Sequence, residues 1–230
     1  MIPVKKKSST APRRATNGSR PVRRQRGTKE ETRLRLIEAT IKVIRKRGVE
    51  ALSTVSVTEA AGFAQSSFYM HFKNVDDCLR AAAEKVAGEA RAFIAEHRRR
   101  THDAAAGPAA LLNHLQAVLR LFVEQRSFAE LLVRHRHDRS PLGGMFRKMQ
   151  DGVRADLIAD SWRFAESLGV HRRHHQRVSL QAEFIHSNVM AAGEALLAGR
   201  YSDVDLLAAE LAATVEATIH ASLARCLAEC

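Results

Sequence analysis

Polar side chains that follow a glycine turn near residue 62 have the types and spacing that DNA recognition requires. Ser53 is a suitable N-cap for a short helix of about residues 54–61, Gly62 marks a tight turn, and a further short helix is predicted from about Gln65 to His71. Two short helices joined in this way make a helix-turn-helix, whose second helix projects into a DNA major groove. The small and polar side chains expected on its outward side, which can hydrogen-bond base edges and phosphates, are Gln65, Ser66, Ser67, Tyr69 and His71.

The same motif predicts a set of inward-facing residues, because one helix of the pair must pack on the longer helix before it. Val57, Ala61, Phe63 and Phe68 are the apolar residues that we expect to face inward, and Phe72 is also expected in the core. Gly62 can adopt the turn conformation that side chains resist.

The helix that precedes the motif has clear start and stop signals. Thr28 and Glu31 form a capping box, and Leu34, Ile37, Ile41 and Ile44 recur on one helical face. Gly48 ends this helix after three basic residues that suit its negative C-terminal end.

The remainder of the chain also has helical periodicity and no strand signal, so we predict an all-α fold of about nine helices. Val75, followed by two acidic residues, opens a long fourth helix that runs to about Arg99. The later helices are predicted over about 108–124, 127–137, 145–168, 174–199 and 203–228.

Charge is distributed unevenly along the 230 residues, whose formal net charge is +12. Nine of the basic side chains and no acidic one lie in residues 1–27, which also contain three prolines and few apolar residues. We interpret this segment as a disordered basic arm, which is either a solubilising tail or an electrostatic arm for nucleic acid. In the second case the DNA contacts of the arm would include Arg23, Arg24 and Arg26.

Several classes of protein are disfavoured by the composition. No run approaches 18 apolar residues, the basic N-terminus has no apolar segment behind it, and three cysteines do not make a disulfide framework. We therefore expect a cytoplasmic protein without a membrane partner. No phosphate loop, nucleophile elbow or carboxylate pair is present, which argues against an enzyme, and the basic loop around His171–His175 would repel a metal ion, so we expect no metal or other cofactor.

The segments Glu31–Gly48, Ala60-Ala61-Gly62-Phe63 and Ser67–Phe72 resemble the DNA-binding domain of TetR/AcrR-type transcriptional repressors. The resemblance implies backbone contacts from Tyr69 and His71 and a phosphate contact from Lys73. From the chemistry of the residues we expect Thr54 to meet a phosphate near a helix N-terminus, Ser66 and Ser67 to touch phosphate or base, and Gln65 and Met70 to touch base edges.

The sequence departs from the family pattern at four positions in this domain. Thr58 stands where alanine is usual, and Ala64 stands where a Ser or Thr usually caps the recognition helix. Gln65 and Met70 replace positions that are often basic, which leaves the recognition helix less cationic than average.

The run from Ala64 to Asp77, together with Phe128–Arg136, is similar to a narrower group, the unsaturated-fatty-acid repressors of the FabR/DesT type. This likeness implies a small-molecule effector such as an acyl-CoA and a role in lipid metabolism. The phosphates of such a ligand could be met by Arg98–Arg100 or by Arg134, Arg136 and Arg139. The apolar lining that we expect for its pocket is Phe93, Leu119, Phe122, Phe128, Leu132, Met145, Met149, Trp162 and Phe184.

The resemblance implies three regions with distinct roles. They are a basic arm over 1–27, a helix-turn-helix domain over 28–74, and a ligand-binding and dimerisation domain over 75–230. The last two helices would form a four-helix bundle with a second copy, and the homodimer would bind a double-stranded DNA operator. The apolar row Leu207, Leu211, Val215, Ile219, Leu223 and Leu227 fits that interface or, alternatively, a core within one chain. A non-specific architectural DNA-binding protein is the competing function.

Overall fold

The computed structural model describes residues 28–101 and 109–229, and all regular structure in these residues is helical. The structure confirms the predicted all-α class. The helices are α1 (Lys29–Arg47), α2 (Thr54–Ala61), α3 (Gln65–Tyr69), α4 (Val75–Thr101), α5 (Ala109–Glu124), α6 (Arg126–His135), α7 (Pro141–Ser167), α8 (His175–Leu197) and α9 (Val204–Ala228). Single turns of 3-10 helix lie at Val49–Ala51 and Arg172–His174.

Helices α1–α3 form what we call the head, and α1 and α2 begin and end where the sequence places the signals. The Thr28 hydroxyl accepts a hydrogen bond from the Glu31 backbone N–H, and the Glu31 carboxylate accepts one from the Thr28 backbone N–H. Gly48 and Gly62 take positive φ angles of 81° and 70° after α1 and α2. These local interactions set the lengths of α1 and α2 independently of the rest of the chain.

Helix α3 is shorter than predicted. It ends at Tyr69, two residues before the expected His71, although the backbone N–H groups of His71 and Phe72 still donate to the Phe68 carbonyl. Ala64 provides no side-chain cap at its start. The uncapped N-terminus and the short length are consistent with a helix held by tertiary packing of Phe68 more than by local signals.

Helices α4–α9, which we call the body, pack side by side. Arg91 donates to Asp156 at 2.9 Å, and Arg98 pairs with Asp160 further along both helices, so α4 and α7 run parallel with their C-terminal ends together. Helix α5 packs on α8 and α9, with Arg120 bonded to Asp205 at 2.7 Å. One end of the body therefore lies against the head. The other end, near Arg98 and the 3-10 turn Arg172–His174, is called the distal end.

The head and the body share one hydrophobic core. Leu36, Val57 and Phe68 of the head lie in the same cluster of buried residues as Phe128 of α6 and Phe146 of α7. The Cys78 thiol, buried at the start of α4, lies 3.1 Å from the Thr40 hydroxyl of α1, and burial raises its pKa to about 11. A shift of α4 or α6 is therefore transmitted to the head through direct packing.

The apolar row of α9 lies largely within the chain. Leu211 and Val215 are buried against α5 and α8, Leu207, Ile219 and Leu223 are partly buried, and only Leu227 is mainly exposed. Of the two alternatives that the sequence left open, the structure shows the intrachain core for this row. Helix α9 is also the one described helix long and apolar enough to span a membrane by length and composition, a test that the core helix of a soluble protein also passes.

Candidate DNA-reading surface and ligand cavity

The outward side of the head presents most of the residues that the sequence predicted for DNA contact. Tyr69 and Met70 are 61% and 67% exposed, and Gln65 and Ser66 are also exposed. Lys73 is exposed just before α4, while Ser67, His71 and Thr54 are half-buried. The structure thus brings together, along α3 and the turn after it, a surface of hydrogen-bonding and small apolar groups.

This surface is held in place from below by aromatic packing. Phe68 has no exposed surface, and its ring centroid lies 5.6 Å from those of both Tyr69 and Phe72. The inward positions predicted for Val57, Ala61 and Phe68 are confirmed. Because Phe68 anchors α3, the orientation of Tyr69 depends on the core of the head.

Two arginines of α1 complete the head, and neither was singled out from the sequence. The Arg35 guanidinium donates to the Ala61 carbonyl at 3.1 Å and lies 4.5 Å from the centroid of the half-buried Phe63 ring. The Arg33 guanidinium lies 5.1 Å from the Phe72 ring centroid. The contacts of Arg35 tie the turn between α2 and α3 to α1, and those of Arg33 tie the end of the head to α1; no local sequence pattern signals contacts between residues so far apart.

His71 lies at the edge of this surface and is half-buried. Burial, followed by the positive charges of Lys29 and Arg33, lowers the pKa of His71 from its ordinary value of 6.5. Its Nδ1 is buried and has no hydrogen-bond partner within the described part of the chain. The orphaned Nδ1 is thus a hydrogen-bonding group of His71 that the described residues leave unused.

The start of α4 fixes the backbone at Lys73. The Asn74 side chain accepts from the Asp77 backbone N–H at 2.9 Å, and Asp77 in turn accepts from the Lys73 backbone N–H at 3.3 Å. A hydrogen bond from Arg80 lowers the pKa of Asp77. Arg23, Arg24 and Arg26 lie outside the described residues, and their role stays a prediction.

A cavity of about 480 Å³ lies inside the body, between α4, α5, α7, α8 and α9, with α6 at its inner end. Its wall follows α4 from Ala83, next to the head, to Arg98, a helical rise of about 22 Å. Phe164, Leu168, Glu216 and His220 are wall residues that are exposed, so the cavity reaches the surface near the end of α7. An elongated, mostly apolar space with one open end results.

The structure places some of the predicted lining residues on the cavity wall and others elsewhere. Phe122, Phe128, Leu132 and Met149 line it. Phe93 and Phe184 are exposed, Trp162 packs with the cluster around Val178, Met145 packs on the shared core, Leu119 is buried beside α9 and Arg134 is exposed. None of these six lines the cavity, because each lies on a side of its helix that faces another neighbour or solvent.

Polar wall residues were not anticipated, with the exception of Arg98. His114, Gln125, Gln150, Ser161 and His186 interrupt the apolar wall. Burial lowers the pKa of His186 from its ordinary value, and the nearby charge of Arg154 lowers it further. His114 shares the apolar face of α5 with Leu111, Leu115 and Val118. A polar residue at an apolar position was therefore the signal in the sequence for a polar group on the cavity wall.

Arg98 lies at the distal end of the cavity as part of a buried ion cluster. It pairs with Asp160, which also pairs with Arg163, and Arg98 and Asp160 are both almost fully buried. Burial opposes ionisation of Asp160, but the hydrogen bonds from Arg98 and Arg163 outweigh it and lower the pKa of Asp160. Arg99 and Arg100 are exposed and pair with Glu96, so of the arginines proposed for a ligand mouth only Arg98 touches the cavity.

A hydrogen bond links the cavity wall to the head. The Arg45 guanidinium at the end of α1 donates to Gln125 Oε1 at 2.8 Å, and Gln125 lines the cavity. Phe122 beside it rests on Gly193 of α8, where a Cβ atom would lie 2.4 Å from the ring. Wall residues at the inner end of the cavity thus contact both the head and α8.

The described residues contain no group of His, Cys, Asp and Glu side chains that could hold a metal ion. The basic loop considered for such a site has His174 buried and 3.8 Å from Glu229, with Arg177 bonded to the same carboxylate at 3.0 Å. Cys226 is buried, and Cys230 lies outside the described residues.

Comparison with known proteins finds a match over most of the head and the first residues of α4. Residues 36–82 match the family model of bacterial regulatory proteins, tetR family. No curated protein matches the chain by sequence.

Solved structures share the fold of most of the chain. A tetR-family transcriptional regulator from Streptomyces coelicolor is 18% identical, with a TM-score of 0.68 over 86% of this chain and 89% of that chain. The fatty acid degradation regulator FadR from Bacillus halodurans is 16% identical, with a TM-score of 0.61 over 83% and 96%. The transcriptional regulator FadR from Bacillus subtilis in complex with stearoyl-CoA is 17% identical, with a TM-score of 0.59 over 79% and 96%. The family match is confined to residues 36–82, and the solved structures show that the chain has a TetR-type fold.

Proposed function

Because residues 36–82 match a TetR-type DNA-binding domain, we propose that this protein is a cytoplasmic, homodimeric transcriptional repressor. In this proposal a small apolar ligand changes its affinity for the operator. The observation that carries the proposal is the core shared by α3 and the cavity wall. Phe68, Phe128 and Phe146 lie in that one cluster, and the last two also line the cavity. Occupation of the cavity can therefore change the position of the DNA-reading surface.

In this proposal the exposed surface of α3 reads the operator. Gln65 and Met70 lie at base edges, Ser66 and Tyr69 contact bases or phosphates, and Lys73 contacts a phosphate. Thr54, Ser67 and His71 are half-buried, so they contribute at the edge of the surface. The basic arm adds phosphate contacts.

The second copy is proposed to cover the outward face of α8 and α9. Leu180 and Phe184 of α8 and Leu206 of α9 are each more than half exposed, and Ala213 and Ala217 between them are exposed and small. Two helices with such a face form a four-helix bundle with a second copy, and the two-fold axis then presents two α3 helices to successive major grooves.

The ligand is proposed to be an apolar chain such as that of a fatty acyl thioester. The cavity volume lies in the range of small-molecule sites, its wall is mainly apolar, and it is long enough for an extended chain. A similar fold holds stearoyl-CoA in the Bacillus subtilis structure. Phe122, Phe128, Leu132 and Met149 would contact the chain in this protein.

DNA binding is tested by comparing the duplex upstream of the protein's own gene with a scrambled duplex at fixed salt. A specific repressor binds the first at least 1000-fold more tightly, on the order of the usual specificity ratio, whereas an architectural protein binds both equally. Tyr69→Ala should weaken operator binding by about ten- to a hundredfold and leave the dimer intact. Equal affinities for the two duplexes would favour the architectural function.

The contribution of the arm is tested by deleting residues 1–26. Loss of phosphate contacts should flatten the dependence of the logarithm of the DNA-binding constant on the logarithm of salt concentration. An unchanged slope would show that the arm is a solubilising tail.

The dimer is tested by a charge on the proposed interface. Phe184→Glu should give monomers in sedimentation velocity, because a carboxylate would be desolvated against an apolar face. Phe93→Glu, at a partly exposed phenylalanine of α4 outside that face, is the matched control and should remain dimeric. A dimeric Phe184→Glu protein would place the interface elsewhere.

The ligand is tested by native mass spectrometry of the protein purified from its host. A co-purifying mass that is lost on denaturation and corresponds to an acyl thioester supports the proposal. Adding that ligand must then change operator affinity, since a ligand that binds both states equally shifts nothing.

A further inference from the structure

A small recess opens off the distal part of the cavity, between α7, α8 and α9. Its volume is about 60 Å³, and Ser161, Phe164 and Leu223 belong to both the recess and the cavity wall. A volume of this size accommodates a small functional group or a few water molecules, and not an extended chain.

The recess differs from the cavity in its polar lining. Gln181 of α8 and Ser222 of α9 line the recess but not the main cavity, and Ser161 lines both. The Gln181 Nε2 is buried and has no hydrogen-bond partner in the part of the chain that the structure describes. A buried amide donor without a partner has lost its hydrogen bonds to water and gained none, so such groups in proteins generally have a partner.

The recess has no charge to balance an ionised ligand group. Among the described residues that line it, none is charged, and Val178, Ile185 and Ile219 supply the rest of the wall. The charged side chains among the described wall residues of the main cavity are Arg98, which is paired with Asp160, and Glu216, whose carboxylate would repel an anion. A carboxylate placed in the recess would lose its hydration without a cation, whereas a neutral carbonyl or hydroxyl would gain a donor.

We propose that this recess is a specificity subsite that binds an uncharged oxygen acceptor carried by the apolar ligand, with Gln181 Nε2 as its donor and the Ser161 and Ser222 hydroxyls beside it. The ligand class is an apolar chain with an ester, thioester or hydroxyl oxygen, in preference to a free acid. The position suits this role, because Phe164 at the edge of the recess also lies at the opening of the cavity. The chain would extend toward the head, and any larger group beyond the carbonyl would extend toward solvent. The inference rests on the proposed ligand-binding function.

Trp162 provides the measurement. It is the only tryptophan of the chain, and it packs in the cluster that includes Val178 and Leu223, which line the recess. Its fluorescence should respond to occupation of the cavity and can be used to titrate the full-length protein with decane, 1-decanol, methyl decanoate, S-decanoyl-N-acetylcysteamine and decanoate.

The decisive comparison is the effect of Gln181→Met on each probe. The variant should bind 1-decanol, the methyl ester and the thioester about two- to tenfold more weakly than the unchanged protein, which corresponds to one net hydrogen bond, and should bind decane equally well. Decanoate should behave like decane. Gln176→Met, an exposed glutamine earlier in α8, is the matched control and should alter no affinity.

Comparison of the probes shows which kind of oxygen-containing group the recess binds. A loss confined to 1-decanol indicates a hydroxylated ligand, and a loss confined to the ester and thioester indicates an acyl ester; both support the subsite. An equal change for decane and the oxygenated probes, or a loss that is largest for decanoate, would overturn it.

Two further results keep this test decisive. Ser222→Ala, which removes a hydroxyl from the recess alone, should weaken the oxygenated probes in the same direction if Gln181→Met does not fold. If no probe, decane included, changes the Trp162 fluorescence or competes for the cavity, the proposed ligand-binding function fails and the subsite fails with it. Binding of all probes without oxygen selectivity leaves that function standing and refutes the subsite alone.

Discussion

The head and the body are built from the same kind of amphipathic helix, but they bury their apolar faces differently. In the head, Ile44, Val57 and Phe68 have no exposed surface and contact other side chains on all sides. In the body, Phe122, Leu132 and Met149 face a cavity of about 480 Å³, and no residue of α1–α3 lines it. A close-packed head keeps α3 in one orientation, while a hollow body leaves room for a ligand to change the spacing of its helices.

The packed core of the head and the cavity of the body are in direct contact. Phe128 and Phe146 belong to the packed core on one side and to the cavity wall on the other. Because packed cores change between discrete arrangements and do not deform continuously, a ligand that prefers one helix spacing would favour one orientation of the head.

The largest expected change in stability comes from removing a buried side chain from the core of the head. Phe68→Ala should lower the free energy of unfolding by about 3–5 kcal/mol, because it leaves a cavity under α3. Urea unfolding followed by far-UV circular dichroism measures it. Phe164→Ala, at the opening of the body cavity, should have a much smaller effect, and similar losses for the two variants would contradict the contrast between the regions.

A smaller change in stability is expected when a larger side chain is placed in the packed core of the head. Ala39→Leu, at a buried position of α1, should lower the free energy of unfolding by about 1–3 kcal/mol, since the packed head has no room for the added atoms. Ala90→Leu on the cavity wall adds the same atoms next to open space, so its stability loss should be smaller while apolar probes bind more weakly. Thermal unfolding and Trp162 titration test the pair, and equal destabilisation would show that the cavity is not available space.

The smallest effect concerns pH. Burial lowers the pKa of His186 in the folded protein, so below about pH 6.5 the unfolded chain takes up a proton that the folded chain does not, and stability should fall as the pH decreases. His186→Gln should make the fall between pH 7 and pH 5 shallower, measured as the midpoint of thermal unfolding. His71 contributes with the same sign in both proteins, so the difference between them isolates His186. A steeper fall in His186→Gln would show that His186 is charged in the folded protein.

The sequence predicted the head well, because its signals act over a few residues. The capping box at Thr28, the glycines at 48 and 62 and the inward position of Phe68 all follow from local geometry. The end of α3 was predicted two residues late, because no capping residue marks it and tertiary packing sets its length. The DNA contacts themselves stay predictions.

The lining of the cavity was predicted only in part. Phe122 and Phe128 were correctly predicted to line the cavity. Phe184 lies on the outward face of α8, and Trp162 packs in the cluster around Val178. An apolar residue looks the same in a sequence whether it meets a neighbouring helix, a second copy or an open space. Helical periodicity gives the direction of a side chain around its own axis and not its distance from the next helix.

The order of the amino acids alone determined the helical class, the ends of α1 and α2 and the polar character of the surface on α3, since these depend on propensities and hydrogen bonds between near neighbours. The tertiary structure decided that six helices enclose a cavity, that Arg98 and Asp160 pair at its distal end, and that Gln181 and Ser222 meet in one recess. These features join residues far apart in the chain, and their distances depend on how whole helices pack, which local patterns do not encode.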